Sequence, residues 1–152
     1  MPKSPEAQLD GFLDKYTPAI AAHARATLAR MRERLPGAMQ IVYDNYNALA
    51  IGFGPSERAS EAIFSIALYP RWVTLFFLQG VGLPDPERVL KGSGKVVRHF
   101  VLKSPDDLDL PAIRALMTEA LRRAEAAIDP SAPGALVIRS VSAKQRPRRP
   151  AV

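Results

Sequence analysis

The chain has 152 residues, 47% of them hydrophobic and 24% charged, with no cysteine, a composition that suits one folded domain and excludes disulfides and thiolate chemistry. Its formal net charge is +6, and five basic residues, Arg139, Lys144, Arg146, Arg148 and Arg149, follow residue 138 with no acidic residue among them. Residues 1–138 therefore read as a nearly neutral domain and 139–152 as a basic, proline-containing tail that aids solubility or lies loosely on the surface. Ser4-Pro5 and Thr17-Pro18 each place a capping side chain before a proline, which starts two helices. Leu9, Phe12 and Leu13 form the stripe of a short first helix running to about Tyr16; Ile20, Ala24, Leu28, Met31 and Leu35 form that of the second, which Pro36-Gly37 stops. His23 borders the second stripe and reads as structural or surface. Met39–Tyr43 and Ala48–Phe53 flank the turn formers Asp44-Asn45-Tyr46-Asn47 and read as a hairpin. Glu61–Tyr69 and Trp72–Gln79 alternate around Pro70-Arg71 as a second hairpin, apolar on both faces and hence central in its sheet. The proline and arginine at its turn also argue against a membrane span. Further on, the pattern predicts a short helix over Asp85–Leu90, a strand over Val96–Leu102, a long helix from Leu110-Pro111 to Asp129-Pro130, and an edge strand over Ala135–Val141.

Leu83–Leu102 gathers the most chemistry. Lys91, Lys95, Arg98 and His99 lie close together, and Gly92 and Gly94 let the intervening backbone turn or approach a ligand. Gly94-Lys95 resembles the end of a phosphate-binding loop, but Val89 and Val96 occupy its required Gly and Ser/Thr positions and a strand follows where a helix should. Asp85 reads as a turn and helix-start residue, not as a general acid or base. No catalytic motif is visible, which leans the reading away from an enzyme and from any cofactor. The expected site is a non-enzymatic cleft lined by Tyr43, Asn45, Tyr46, Tyr69 and Trp72, with Lys91, Ser93, Lys95, Arg98 and His99 supplying charge and hydrogen bonds. It would take a small anionic ligand or a protein partner, and the two-sided apolar hairpin alternatively implies a homodimer.

The stretch from Phe64 to His99, FSIALYPRWVTLFFLQGVGLPDPERVLKGSGKVVRH, places an apolar hairpin before a Leu-Pro-Asp-Pro turn and a Lys-Gly-Ser-Gly-Lys loop. In that order it resembles the YdhG-like family, a bacterial domain of unknown function. The resemblance implies an α+β fold: a curved antiparallel sheet of about five or six strands, with N- and C-terminal helices on one face. Some of those relatives are described as frataxin-like iron chaperones. The corresponding alternative here is iron on the ridge of Glu6, Asp10 and Asp14, assisted by Asp106, Asp107 and Asp109. A second alternative is nucleic acid held by the basic tail, against which stand its lack of aromatic residues and its prolines. The absence of cysteine and of a signal-peptide pattern after Met1 favours a cytoplasmic protein.

Overall fold

Both N-terminal helices begin as their caps predict. In a computed structural model that describes residues 3–151, Ser4 Oγ accepts from the Ala7 N–H at 3.1 Å and opens α1 (Pro5–Leu13). Thr17 Oγ1 accepts from Ile20 at 3.3 Å and opens α2 (Pro18–Arg34). Each proline sits where a helical N–H would be unpaired in any case. Helix α1 stops at Leu13, short of the expected Tyr16, because Tyr16 turns into the core: it is 1% exposed, donates its hydroxyl to Leu68 O at 3.0 Å and accepts from Leu49 N at 3.2 Å.

Six strands follow: β1 (Met39–Asp44), β2 (Leu49–Gly54), β3 (Phe64–Leu68), β4 (Val73–Phe77), β5 (Arg98–Leu102) and β6 (Ala135–Val141). They form one sheet in the order β5-β4-β3-β2-β1-β6. The fold is α+β, as the element pattern implies. Every pairing is antiparallel except β1 with β6, which run parallel with a bulge between Val42 and Tyr43. That pair is parallel because the chain leaves β5 at one edge, passes through α3 (Pro111–Arg123), and returns along the opposite edge.

The period-two alternation sorts the side chains into two faces. Leu49, Ile51 and Phe53, then Phe64, Ile66 and Leu68, then Val73, Leu75 and Phe77 all point to one side, where they meet Leu9, Leu13, Leu28, Met31, Ile113, Leu116 and Met117 of the helices in a single buried cluster. This is the core, and all three helices contribute to it.

Four expectations need correction. Asp85–Leu90 is a turn, not a helix: the Asp85 carboxylate takes the Val89 and Leu90 N–H groups at 3.0 and 2.9 Å, and Arg88 adopts a left-handed φ of 54° that a helix cannot continue. The fifth strand begins at Arg98 and not at Val96. Helix α3 ends at Arg123 because Ala124 turns extended (ψ 134°), which brings Asp129 back to Gly37. Gly37 has φ 84°, and a Cβ there would lie 1.9 Å from the Asp129 carbonyl, so only glycine fits. Finally, the supposed loose tail is built into the domain. Its expected start at residue 139 falls inside β6, and Arg148 is 6% exposed.

Candidate functional site

The helices cover one side of the sheet; the register defines the other. Two rows of side chains cross it. One runs Tyr43, Ala50, Ala67, Thr74 and Val101, and the next runs Ile41, Gly52, Ser65, Phe76 and His99, from β1 to β5. Ala50, Gly52, Ser65 and Ala67 therefore make a floor of very small residues on the two central strands. Tyr43, with the fully buried Ile41 beside it, stands on one side of it, and Phe76 and His99 on the other. Such a floor between larger ridges is a trough along the strands. At one end the β2–β3 connection folds over, with Ala62 3.8 Å from where a Gly52 Cβ would be. Over the rest of the floor lies an open cleft of about 450 Å³, bordered by Asn45, Tyr46, Asn47 and Tyr69 toward the strand ends that carry the Asn45–Asn47 turn and by Phe76 and Leu78 toward the other, in the size range of small-ligand sites.

The walls are aromatic. Phe76 and His99 are 5.5 Å apart between ring centroids, and Tyr69 is 6.1 Å from Trp72, which is 47% exposed at the β3–β4 turn. Burial pushes the Tyr69 phenol above its ordinary pKa, so it stays a hydrogen-bond donor at neutral pH. The second row extends beyond β5. Lys91 and His99 exchange backbone hydrogen bonds at 2.8 and 2.9 Å as an isolated antiparallel bridge, so the Lys91 side chain leaves the same face as His99. Gly92, with φ 119°, then turns the chain toward exposed Ser93 and Lys95.

The ten expected site residues are thus divided. Asn45, Tyr46 and Tyr69 border the cleft, Tyr43, His99 and Lys91 share its face, and Trp72 packs beside Tyr69. Ser93 and Lys95 stand in solvent. Arg98 falls on the helix-facing register and folds back on its own loop, donating to Gly94 O at 2.7 Å and Val97 O at 2.8 Å. Sequence reasoning missed the floor. Only its β3 half left a signal, Ser65 and Ala67 alternating with Phe64, Ile66 and Leu68; the register that sets them beside Ala50 and Gly52 is tertiary.

It also missed a charged cluster under the Asn45–Asn47 turn. The Asp44 side chain is completely buried, bonded to Arg148 Nη2 at 3.0 Å and to Lys15 Nζ at 3.0 Å. The same guanidinium donates to the carbonyls of Asn45 at 2.5 Å and Tyr46 at 3.4 Å and lies 5.9 Å from the Tyr16 ring. Ser142 N donates to Asp44 O and Arg146 N to Tyr46 O, both at 2.8 Å, while the Arg146 guanidinium lies over the Tyr46 ring at 5.5 Å. Burial alone would raise the Asp44 carboxyl, but hydrogen bonds from Gln145, Lys15 and Arg148 hold it below the usual carboxylate range. The C-terminal segment therefore fixes the turn that carries Tyr46.

The acidic ridge of α1 faces arginines. Arg25 bridges Asp10 and Asp14 at 2.6 and 2.9 Å, and Arg32 approaches Glu6 at 3.4 Å. Asp106 pairs with Arg30 at 2.5 Å, Asp107 accepts from Lys103 N at 2.8 Å, and Asp109 meets Arg34 and Arg114 at 2.5 and 2.8 Å. Among the described residues no group of three or more His, Asp or Glu side chains is placed to hold a metal ion. His23 is turned inward with its Nε2 unpartnered among the described residues, and burial lowers its pKa despite the nearby Asp107 carboxylate. No helix is long and apolar enough to cross a membrane among the described residues.

Comparisons with protein-family models, with curated proteins and with solved structures found no match to the chain.

Proposed function

We propose that this protein is a binding domain whose ligand lies in the trough on the helix-free side of the sheet, and that the ligand presents a flat ring system together with an anionic group. The observation that carries this reading is the open floor of Ala50, Ser65 and Ala67 between the ridges of Tyr43 and Phe76. Small residues on two adjacent central strands leave room at the middle of a sheet, where a larger side chain would otherwise fill it. Aromatic walls favour a planar guest, for which stacked or edge-on contacts add about 0.5–1.5 kcal/mol beyond area burial. Lys91, at the end of the Phe76–His99 row, supplies the cation.

A fluorescent aromatic anion, anilinonaphthalene sulfonate, tests the reading. Titration should move the amide resonances of residues 50, 65, 67 and 76, and Ala50→Phe, which fills the floor from a half-buried position, should weaken binding at least about tenfold while leaving the fold intact. Shifts confined to the helix side, or an undiminished affinity of Ala50→Phe, would overturn it. Sedimentation across a concentration series separates a small guest from a second copy of the chain on the same face.

A further inference from the structure

Charge on this molecule is divided by sheet edge. Arg88 to Pro105, which includes β5, contains Arg88, Lys91, Lys95, Arg98 and Lys103 and no acidic residue; Ser131 to Val152, which includes β6, contains Arg139, Lys144, Arg146, Arg148 and Arg149 and none either. Those two segments hold ten of the 21 basic residues, which leaves 11 against all 15 acidic ones, or −4, for the rest of the chain.

Their partners differ as well. On the helix side, Arg25, Arg30, Arg32, Arg34 and Arg114 are each bound to carboxylates. Of the ten edge cations only Arg148 forms an ion pair, with Asp44, among the described residues. The trough lies between these edges, with exposed Lys91 and Lys95 on its β5 side, Tyr43, Phe76 and His99 on its face and Tyr46 and Tyr69 at its mouth.

We infer that the trough's ligand is single-stranded nucleic acid, laid along the trough with bases against the aromatic face and phosphates toward the exposed cations Lys91 and Lys95 beside β5. This rests on the trough reading and names its ligand class. Five-residue strands such as β3 and β4 run about 17 Å at about 3.3 Å per residue, a trough longer than one nucleotide. Bases stack on aromatic side chains with little regard to sequence, while an adjacent basic surface tracks the backbone. A duplex keeps its base faces inside its own stack and offers none to Phe76 or Tyr43. An anionic membrane would satisfy the charge and leave the small-residue floor without a role.

The test uses the full chain and a fluorescein-labelled oligouridylate of about twelve nucleotides, followed by anisotropy at about 50 and 200 mM salt. Binding to this strand should exceed binding to a duplex of equal length. It should fall steeply with salt, with a log-log slope near −0.7 per phosphate contacted. Lys91→Glu with Lys95→Glu should weaken it at least tenfold. Phe76→Leu, which keeps an apolar side chain but removes the ring, should weaken it severalfold with the salt slope unchanged. Equal affinity for duplex, an unaffected Phe76→Leu, or no binding at 50 mM salt overturns the inference. So does a preference for vesicles containing phosphatidylserine. If anilinonaphthalene sulfonate still perturbs the floor residues when the oligonucleotide does not bind, only the ligand class is wrong; if neither reaches the floor, the trough reading falls with it.

Discussion

The two basic segments that edge the sheet, Lys91–Arg98 and Lys144–Arg149, look alike in sequence and have opposite fates. In the C-terminal segment Arg148 is drawn inside by a fully buried carboxylate, and Gln145, Arg146 and Arg149 bond to backbone oxygens of Asp44, Tyr46 and Lys15. In the other, Lys91 and Lys95 are exposed without a carboxylate partner among the described residues, and Arg98 donates to carbonyls of its own loop. The difference is not in the cations. It lies in whether an anion has been buried within reach: Asp44 points to the helix side at the end of β1, where burying it unpaired would be prohibitive. One segment stabilises the fold; the other is left free to meet something outside it.

Breaking the fastened segment should have the largest effect. Arg148→Ala leaves Asp44 buried with Lys15 as its one cation among the described residues, and removing one partner of a buried pair costs about 3–5 kcal/mol; because Lys15 remains, we expect about 3 kcal/mol in urea unfolding. Asp44→Ala with Arg148→Ala together should cost clearly less than the sum of the two single changes. If Arg148→Ala costs no more than a surface substitution, the contrast between the segments is wrong.

The same cluster predicts an acid response. Asp44 has a folded pKa below its unfolded value, so its contribution is present above about pH 4 and is lost as pH falls through the folded pKa. His23 acts earlier. Its folded pKa is lowered by burial, so below about pH 6.5 the unfolded chain binds the proton more readily and stability declines. Denaturant midpoints measured from pH 7.5 to 3 should fall in two stages. His23→Gln should flatten the first and Asp44→Asn the second; coincident loss in both variants would reject the assignment.

A smaller effect is expected in the free loop. Gly92 sits at φ 119°, a conformation L residues rarely adopt, so Gly92→Ala should cost about 1–2 kcal/mol. The cost should be local, visible as faster amide exchange at Lys91 and His99, which the bridge now protects. A purely global destabilisation would show that the loop is part of the core's cooperative unit.

How much of this the sequence could say follows from the range of the forces involved. Helix starts, both hairpins and the β6 strand were legible because caps and alternation act over a few residues: Ser4-Pro5, Thr17-Pro18 and the Phe64–Leu68 pattern needed no tertiary context. The turn at Asp85 was misread because Pro86 suits a helix start and a turn equally; what decided it was the Asp85 carboxylate capturing the Val89 and Leu90 N–H groups. The aromatic members of the site, Tyr43, Tyr46 and Tyr69, could be named from sequence. Its floor could not, because it exists only when Ala50 is registered against Ala67, and Gly52 against Ser65, across two strands. Arg148 was furthest from reach. Its partner lies 104 positions away, and nothing in a proline-broken basic run distinguishes the one arginine that goes inside from those that stay out.

The smallest predicted effect is the most discriminating. Lys91→Ala and Lys95→Ala remove exposed side chains that touch no carboxylate, so each should change stability by no more than about 0.5 kcal/mol. That is several times less than Arg148→Ala, although all three substitutions delete one positive charge. Their effect should appear instead in binding, where a charge-assisted contact is worth about 1.5–3 kcal/mol, and should fade as salt screens exposed charges. Paired measurements of urea midpoint and anisotropy on the three variants therefore test the division of labour directly. Arg148→Ala must lose stability, the lysine variants must lose affinity without losing stability, and a lysine variant that unfolds early would show that the loop's cations have partners inside the protein after all.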